Sequence, residues 1–140
     1  MRESKLCLSF KDAFKLLNKK YFSDFEQISP QTSLYNSNMG ILYFRSSKDY
    51  KYPHKNFWYS INPYYVIDNK IDFIVLIAGY EGIFIIPKNY FLDYREKFPV
   101  GHVKGGREDF TILKKDGNYY RNEPKNETDN ITGFFVPIEY

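Results

Sequence analysis

Two short apolar runs near the middle of the chain constrain the fold more than any other feature. Residues 71–78 and 83–87 are rich in β-branched and aromatic side chains, and Gly79-Tyr80-Glu81-Gly82 separates them. Each run is too short to cross a membrane, and the two glycines permit the positive φ angles of a tight turn. The pattern therefore predicts a hairpin of two central strands. Neither run alternates apolar with polar residues, which indicates that both faces of the hairpin are covered.

Two helices are predicted on either side of this hairpin. Pro87 cannot donate to a strand ladder, but it suits the first turn of a helix over residues 88–97. Residues 9–22 carry apolar side chains at spacings of three and four, with Ser9 as N-cap and Asp12 placed to return the hydrogen bond. Lysines occupy the other faces of this helix. Solvent exposure is the simpler interpretation of these lysines, and phosphate contact is the alternative.

The rest of the chain predicts short strands. They are expected at residues 41–44, 57–61, 110–113, 118–120 and within 131–138. Lys114-Lys115-Asp116-Gly117 predicts a hairpin turn, Asn62-Pro63 turns the chain, and residues 23–40 predict a long, mostly irregular connection. These elements indicate an α+β fold with a strongly bent mixed or antiparallel sheet, or a partly open β-barrel, carrying two helices.

Length and composition limit the class of protein. The 140 residues fit one domain spanning residues 1–140, which is expected to be excised from or fused to a larger protein. Cys7 is the single cysteine, which excludes an internal disulfide and a cysteine metal cluster. No signal peptide and no run of 18 apolar residues is present, so a cytoplasmic protein without membrane contact is expected. No cofactor motif is found, and no cofactor is expected.

Charge is distributed unevenly along the chain. Residues 1–60 hold ten Lys/Arg against five Asp/Glu, whereas residues 61–140 hold ten against twelve, for a net charge of +3. One side of the molecule is therefore expected to be basic, as nucleic-acid binding requires.

The segment 45–56 is the strongest candidate for a binding loop, because its basic residues alternate with tyrosines and Pro53 excludes a helix. A second, glycine-punctuated segment at 98–107 adds two more basic residues. The predicted DNA-backbone contacts are Arg45, Lys48, Lys51, Lys55, Lys104 and Arg107. The predicted base contacts at the foot of the loop are Tyr43, Trp58 and Tyr59. Strand alternation allows at most one of Trp58 and Tyr59 to contact a ligand.

No complete catalytic motif is found. A restriction-type nuclease needs an Asp and, on the next strand, Glu-x-Lys to bind a metal ion and polarise water. Asp72 begins a strand, but residues 82–86 contain no such motif. His54 and His102 lack a nucleophile elbow, and no P-loop or dinucleotide fingerprint occurs. A binding domain without catalysis is therefore expected. Two alternatives stay open, a metal-dependent nuclease centred on Asp72 and Glu81, and a protein-interaction domain with a tyrosine-rich surface.

The order of elements resembles a known family. An aromatic strand at 56–61, an apolar strand, a tight turn, Ile83-Phe84-Ile85-Ile86-Pro87 and a short helix resemble DNA-recognition domains of restriction systems. The most similar is the N-terminal modified-cytosine-binding domain of McrBC-type enzymes, over about residues 56–135, with Asp129-Asn130-Ile131-Thr132 fitting its tail. The pattern also resembles the pseudobarrel DNA-binding domains of plants and of some type II restriction enzymes, which read unmodified sequence in the major groove.

The resemblance implies a defence function in which a base is flipped from duplex DNA into an aromatic-lined pocket. Trp58 or Tyr59 would line that pocket, and the loop 45–56 would approach the DNA backbone. The implied partners are double-stranded DNA and an effector domain or subunit with nuclease or NTPase activity.

Overall fold

A computed structural model describes residues 7–29, 33–50, 56–97, 103–104, 107–122 and 128–138. The helices are α1 (Phe10–Asn18), α2 (Pro63–Asp68) and α3 (Lys88–Lys97), with a single 3₁₀ turn at Thr132–Phe134. The strands are β1 (Glu26–Gln27), β2 (Leu34–Ser37), β3 (Gly40–Ser47), β4 (Asn56–Ile61), β5 (Phe73–Ala78), β6 (Gly82–Pro87), β7 (Val103–Lys104), β8 (Arg107–Lys115), β9 (Asn118–Asn122), β10 (Thr128–Asn130) and β11 (Phe135–Pro137).

The strands form two sheets within the described residues. The larger sheet has the order β1-β2-β3-β5-β6-β11, and it is antiparallel except where β3 pairs in parallel with β5. The smaller sheet has the order β10-β9-β8-β4, with β7 also paired to β8, and it is antiparallel throughout. This arrangement confirms the predicted α+β class. The sheets are separate, so the barrel alternative is wrong.

The larger sheet is covered on both faces. One face packs against the smaller sheet in a core that includes Phe57, Tyr59, Ile74, Leu76, Phe84, Phe110 and Ile112. The opposite face packs against α1 in a second core that includes Ala13, Leu16, Leu17, Phe44, Val75, Ile77 and Ile83. Successive residues of β5 alternate between the two cores, because neighbouring side chains in a strand point to opposite faces. The molecule is therefore layered as helix α1, larger sheet and smaller sheet, and the predicted covering of both hairpin faces is confirmed.

The central hairpin and α1 form as the sequence predicts. Gly79 and Gly82 adopt φ angles of +50° and +156° at the turn between β5 and β6. The Ser9 hydroxyl oxygen accepts a hydrogen bond from the Asp12 backbone N–H at 3.2 Å, which caps the first turn of α1. Pro87 is the last residue of β6, and α3 begins at Lys88 and ends at Lys97, as predicted.

Two predictions about local structure are wrong. Residues 23–40, expected to be mostly irregular, contain β1 and β2, which pair with each other while β2 also pairs with β3. The Asn62-Pro63 turn is instead the start of a third helix, α2. The Asn62 side-chain oxygen accepts from the Tyr64 N–H at 3.0 Å, and Pro63 fills the first helical position. Asparagine at the N-cap followed by proline is a recognised helix start, and the same two residues are also common in turns.

Candidate nucleic-acid interface

Lys48 and Trp58, two of the predicted contacts, lie close together where β3 ends and β4 begins, although these strands belong to different sheets. The Trp58 backbone N–H donates to the Ser47 hydroxyl at 2.9 Å, and this hydroxyl donates to the Lys48 carbonyl at 2.8 Å. Ser47 is buried, so these bonds fix the two strands relative to each other. The loop is thus held between a strand of the larger sheet and a strand of the smaller one.

The loop is shorter than the sequence indicates. Strand β3 continues to Ser47, so Arg45 lies within a strand and the connection to β4 begins at Lys48. This corrects the prediction that Arg45 belongs to the loop. Lys51 and Lys55, two further predicted backbone contacts, lie outside the described residues.

Trp58 points outward from the smaller sheet. Its neighbours in β4, Phe57 and Tyr59, are buried between the sheets, and Trp58 is 57% exposed. The ring centroids of Trp58 and Tyr50 are 6.5 Å apart, and the Lys48 Nζ lies 4.7 Å from the centroid of Tyr50. Lys48, Tyr50 and Trp58 together are called the Trp58 surface below. The Trp58 surface thus consists of two exposed aromatic rings, those of Tyr50 and Trp58, with the Lys48 ammonium group beside Tyr50.

Tyr50 has no predicted role in the sequence analysis, yet hydrogen bonds on both sides of its backbone hold it in this surface. Its backbone N–H donates to the Asn56 carbonyl at 3.0 Å, and the Asn56 side-chain amide donates to the Tyr50 carbonyl at 3.0 Å. These two bonds close the ends of the loop and hold Tyr50 beside Trp58. The alternation of tyrosine and lysine within residues 48–52 was the sequence signal that could have identified it.

Tyr59 is part of the core. It is 4% exposed, and its hydroxyl donates to the Ile77 carbonyl at 2.8 Å. Desolvation by burial, with a smaller contribution from Cys7, raises the pKa of the Tyr59 hydroxyl well above its ordinary value of 10.0. The hydroxyl is therefore protonated and donating at neutral pH. The outward Trp58 and inward Tyr59 confirm that at most one of the two can meet a ligand.

Tyr43 and Arg45 form a second cluster with Tyr65 of α2. The ring centroids of Tyr43 and Tyr65 are 5.1 Å apart, and the Arg45 guanidinium carbon lies 5.8 Å from the centroid of Tyr43. Tyr43 is 8% exposed, whereas Arg45 and Tyr65 are half-buried. Burial, with a smaller contribution from Tyr43, raises the pKa of Tyr65, while Arg45 opposes the shift. Tyr65 was not found from the sequence because α2 was not predicted.

The second predicted basic segment is described at the level of its backbone. Lys104 of β7 pairs with Arg107 of β8, next to the Ile61 end of β4 and away from Asn56, where the loop enters this strand. Their side chains lie outside the described part of the structure. The predicted loop or bulged edge at 98–107 thus contains a short strand pair.

Asp72 and Glu81, the centre of the nuclease alternative, lie at opposite ends of β5. This six-residue strand separates them by about 20 Å. The Asp72 carboxylate accepts from the Ile41 N–H at 2.8 Å, and Glu81 contacts the Lys114 Nζ at 3.4 Å. The two carboxylates therefore cannot bind one metal ion together, and this form of the alternative is wrong. Among the described residues, no group of three or more His, Cys, Asp or Glu side chains is arranged to hold a metal ion.

Comparisons with known proteins identified no relative of this chain. A scan of protein-family models and searches of curated proteins and of solved structures returned no match for this chain. In the described residues, no helix combines the length and apolar character needed to cross a membrane.

Proposed function

We propose that this chain is a DNA-recognition module of a restriction or defence protein, and that its Trp58 surface contacts DNA. The observation that carries the proposal is the exposed Trp58 ring beside Tyr50 and Lys48. A tryptophan that is more than half exposed gains little from burial, and an indole is the most effective ring for stacking on a base or on a cation. Stacking of one base on an aromatic side chain contributes about 1–3 kcal/mol.

Trp58 is the base contact in this proposal, because the other two candidates are buried. The Tyr59 hydroxyl is bonded inside the core, and Tyr43 packs against Tyr65. An aromatic surface of this kind stacks on a base that has left the duplex, as in base flipping. The proposal includes recognition of a modified base at Trp58. The resemblance to McrBC-type domains implies this recognition.

Phosphate contacts come from Lys48 and Arg45 in this proposal. Lys48 is exposed beside Tyr50, and Arg45 is half-buried on the strand that leads into the loop. A guanidinium held over a tyrosine ring keeps its planar fork pre-organised for a phosphate. Lys51, Lys55, Lys104 and Arg107 remain predicted contacts along the same backbone. An effector domain or subunit would act on the DNA that this module holds.

Replacing Trp58 by alanine is expected to weaken DNA binding by about 5- to 150-fold, the equivalent of losing one stacked base. Folding should be unaffected, because the side chain is mostly exposed. Fluorescence anisotropy with short duplexes, either unmodified or methylated on cytosine or adenine, measures the change. A loss confined to one methylated duplex identifies the base that is read.

Tyr64→Ala is the matched control for this experiment. Tyr64 is 64% exposed on α2 and lies outside the Trp58 surface, so its removal should leave DNA affinity unchanged. Equal losses in both variants would show that exposed aromatic rings bind DNA unspecifically. Absence of any binding by the unaltered chain at low salt would refute the proposed function.

The Lys48→Ala variant tests the phosphate contact. It should weaken binding to all duplexes alike and make the logarithmic salt dependence of Kd shallower by about 0.9, because one fewer counterion is released. Lys70→Ala removes an exposed lysine from the end of α2 and serves as the control with an unchanged slope. An unchanged slope for Lys48→Ala would remove Lys48 from the interface.

A protein-interaction domain is the second candidate, and one observation favours it. Tyr64 and Ile67 lie one helical turn apart on α2 and are 64% and 51% exposed. Such a pair is a suitable anchor for a protein partner. This candidate predicts that the chain has no salt-sensitive affinity for DNA.

A further inference from the structure

The outward side of α1 carries a row of lysines. Lys11, Lys15 and Lys19 are spaced by four residues, so they lie on one side of the helix at intervals of about 6 Å along its axis. This side is opposite to Ala13 and Leu17, which are buried against the larger sheet. Lys20 follows directly, and all four lysines are exposed.

Tyr21 closes the same helix in a conformation that favours glycine. Its φ angle is +70°, and its side chain is 85% exposed. The Phe22 N–H donates to the Leu17 carbonyl at 3.1 Å, which is the bonding pattern of a helix end with a left-handed residue, where glycine is the usual choice. The ring gains little from burial there. An exposed aromatic side chain held in an unfavourable backbone conformation points to a function outside the fold.

We propose that Lys11, Lys15, Lys19 and Tyr21 form a second DNA-binding surface, called the α1 surface. The lysine row spans about 12 Å, which matches three to four phosphates of one DNA strand measured along the duplex axis. Tyr21 follows the lysine row in the chain. In this proposal its ring packs against a sugar or an accessible base of the bound DNA. This surface adds a second binding site to the proposed function. The inference depends on that function for one point, which is that the ligand is DNA.

The two surfaces lie on opposite sides of the molecule. Helix α1 packs on the outer face of the larger sheet, and Trp58 projects from the outer face of the smaller sheet. Two packed sheets are separated by about 10 Å, and a helix adds a further 10–12 Å. A single straight duplex therefore cannot touch both surfaces. The domain holds two DNA segments at once, one on each side.

DNA fits the α1 surface better than an anionic membrane does. A helix that binds a membrane must present apolar residues to the lipid beside its lysines. The apolar residues of α1 are instead packed in the core, where Phe14, for example, lies 4.6 Å from Phe25 between ring centroids. Tyr21 is the exposed ring at the end of the lysine row, and the regular spacing of the lysines along the helix is suited to a regular polyanion.

Affinity measurements on two variants test the α1 surface. On a chain that already carries Trp58→Ala, so that the other surface does not mask the effect, the Lys11→Glu/Lys15→Glu double change should weaken duplex binding about tenfold or more at moderate salt, with a logarithmic salt slope shallower by about two. Tyr21→Gly should also bind more weakly, by about fivefold, although its Tm should rise by about 2–5 °C because the backbone strain is relieved.

Lys70→Gly is the matched control, because Lys70 also ends a helix with a positive φ of +53° and the same bonding pattern. It should raise Tm similarly and leave DNA affinity unchanged. If Tyr21→Gly binds DNA as well as the unaltered chain, the role of Tyr21 is refuted. If the double lysine variant also binds normally, the α1 surface is refuted as a whole.

Capture of a second duplex tests the two-sided arrangement. A biotinylated duplex on beads should retain a fluorescent duplex when the chain, shown to be monomeric by light scattering, is added. Trp58→Ala and Lys11→Glu/Lys15→Glu should each abolish this capture. Failure of the unaltered monomer to capture the second duplex would overturn the two-sided arrangement. Binding of α1 to anionic lipid vesicles in preference to DNA would overturn the choice of ligand.

The outcomes separate this inference from the proposed function. Each change is measured on a chain that already carries the other change, so that one surface cannot mask the loss of the other. If Trp58→Ala then weakens binding and the lysine change does not, the Trp58 surface stands and the α1 surface is refuted. If the lysine change weakens binding and Trp58→Ala does not, the α1 surface stands and the Trp58 surface is refuted.

Discussion

Replacing Arg121 by alanine is expected to lower the free energy of unfolding by about 3–5 kcal/mol, because the truncation leaves a cavity in the core and removes the contact of the guanidinium with the Phe110 ring. Arg121 lies in β9 and is 1% exposed. Its guanidinium carbon is 4.1 Å from the centroid of the Phe110 ring, a short distance for a cation over an aromatic face. Urea unfolding followed by circular dichroism at 25 °C measures the change.

The register of the smaller sheet explains why the charge itself matters. Arg121 is directly opposite Asp129 of β10, so both side chains lie on the same face of the sheet. The Asp129 carboxylate also accepts a hydrogen bond from the Tyr90 hydroxyl of α3. Arg121 therefore lies on the same face of the smaller sheet as the carboxylate that joins β10 to α3. Despite its charge, its burial excludes it from phosphate contact.

Two variants separate packing from charge. Arg121→Met keeps much of the buried volume but removes the charge, so its loss of stability should be smaller than that of the alanine variant. Arg45→Ala removes an arginine that also lies over an aromatic ring, but this one is half-buried and 5.8 Å from the ring centroid. Its loss should be below about 1 kcal/mol. An alanine variant of Arg121 as stable as that of Arg45 would contradict a structural role for the buried guanidinium.

The sequence predicts the parts of this fold that depend on local interactions. The β5–β6 hairpin was recognised because its strands are neighbours in the chain and glycines close the turn, and α1 because Ser9 caps a regular apolar repeat. The parallel pairing of β3 with β5 was not predicted. The chain between them passes through β4 of the other sheet and α2, and nothing in residues 41–47 specifies that distant partner.

The candidate site also divides into features that local sequence predicts and features that depend on distant strand pairing. Alternation along β4 predicted that only one of Trp58 and Tyr59 faces outward, but periodicity alone cannot say which. The choice depends on Phe110 and Ile112 of β8, which pair with Tyr59 and Phe57 to build the core. Arg45 was assigned to a loop for a similar reason. Ser46 and Ser47 look like the start of a turn, whereas pairing with β5 extends the strand through both.

Replacing Gly82 by alanine is expected to destabilise the protein by about 3 kcal/mol or more. Gly82 has a φ of +156°, and it pairs with Ala78 on one side and with Pro137 of β11 on the other. A Cβ atom placed on Gly82 collides with the Val136 carbonyl oxygen and lies 2.9 Å from the Pro137 Cα. These are backbone atoms, so the clash cannot be relieved by a change of rotamer, and either β11 or the hairpin turn must move.

Because the clash involves β11, the Gly82→Ala variant should show a local change in hydrogen exchange. If β11 leaves the edge of the larger sheet, the Ile138 N–H loses its bond to the Glu81 carbonyl, which is 2.9 Å long, and its hydrogen exchange should accelerate more than that of core amides in β5. Gly117→Ala is the control, because Gly117 has a φ of +79° but no atom within 4 Å of an added Cβ. It should lose only about 1–2 kcal/mol through backbone strain. If the two variants lost the same free energy of unfolding, backbone strain would account for the whole effect at both positions. That result would mean that β11 does not pack against Gly82.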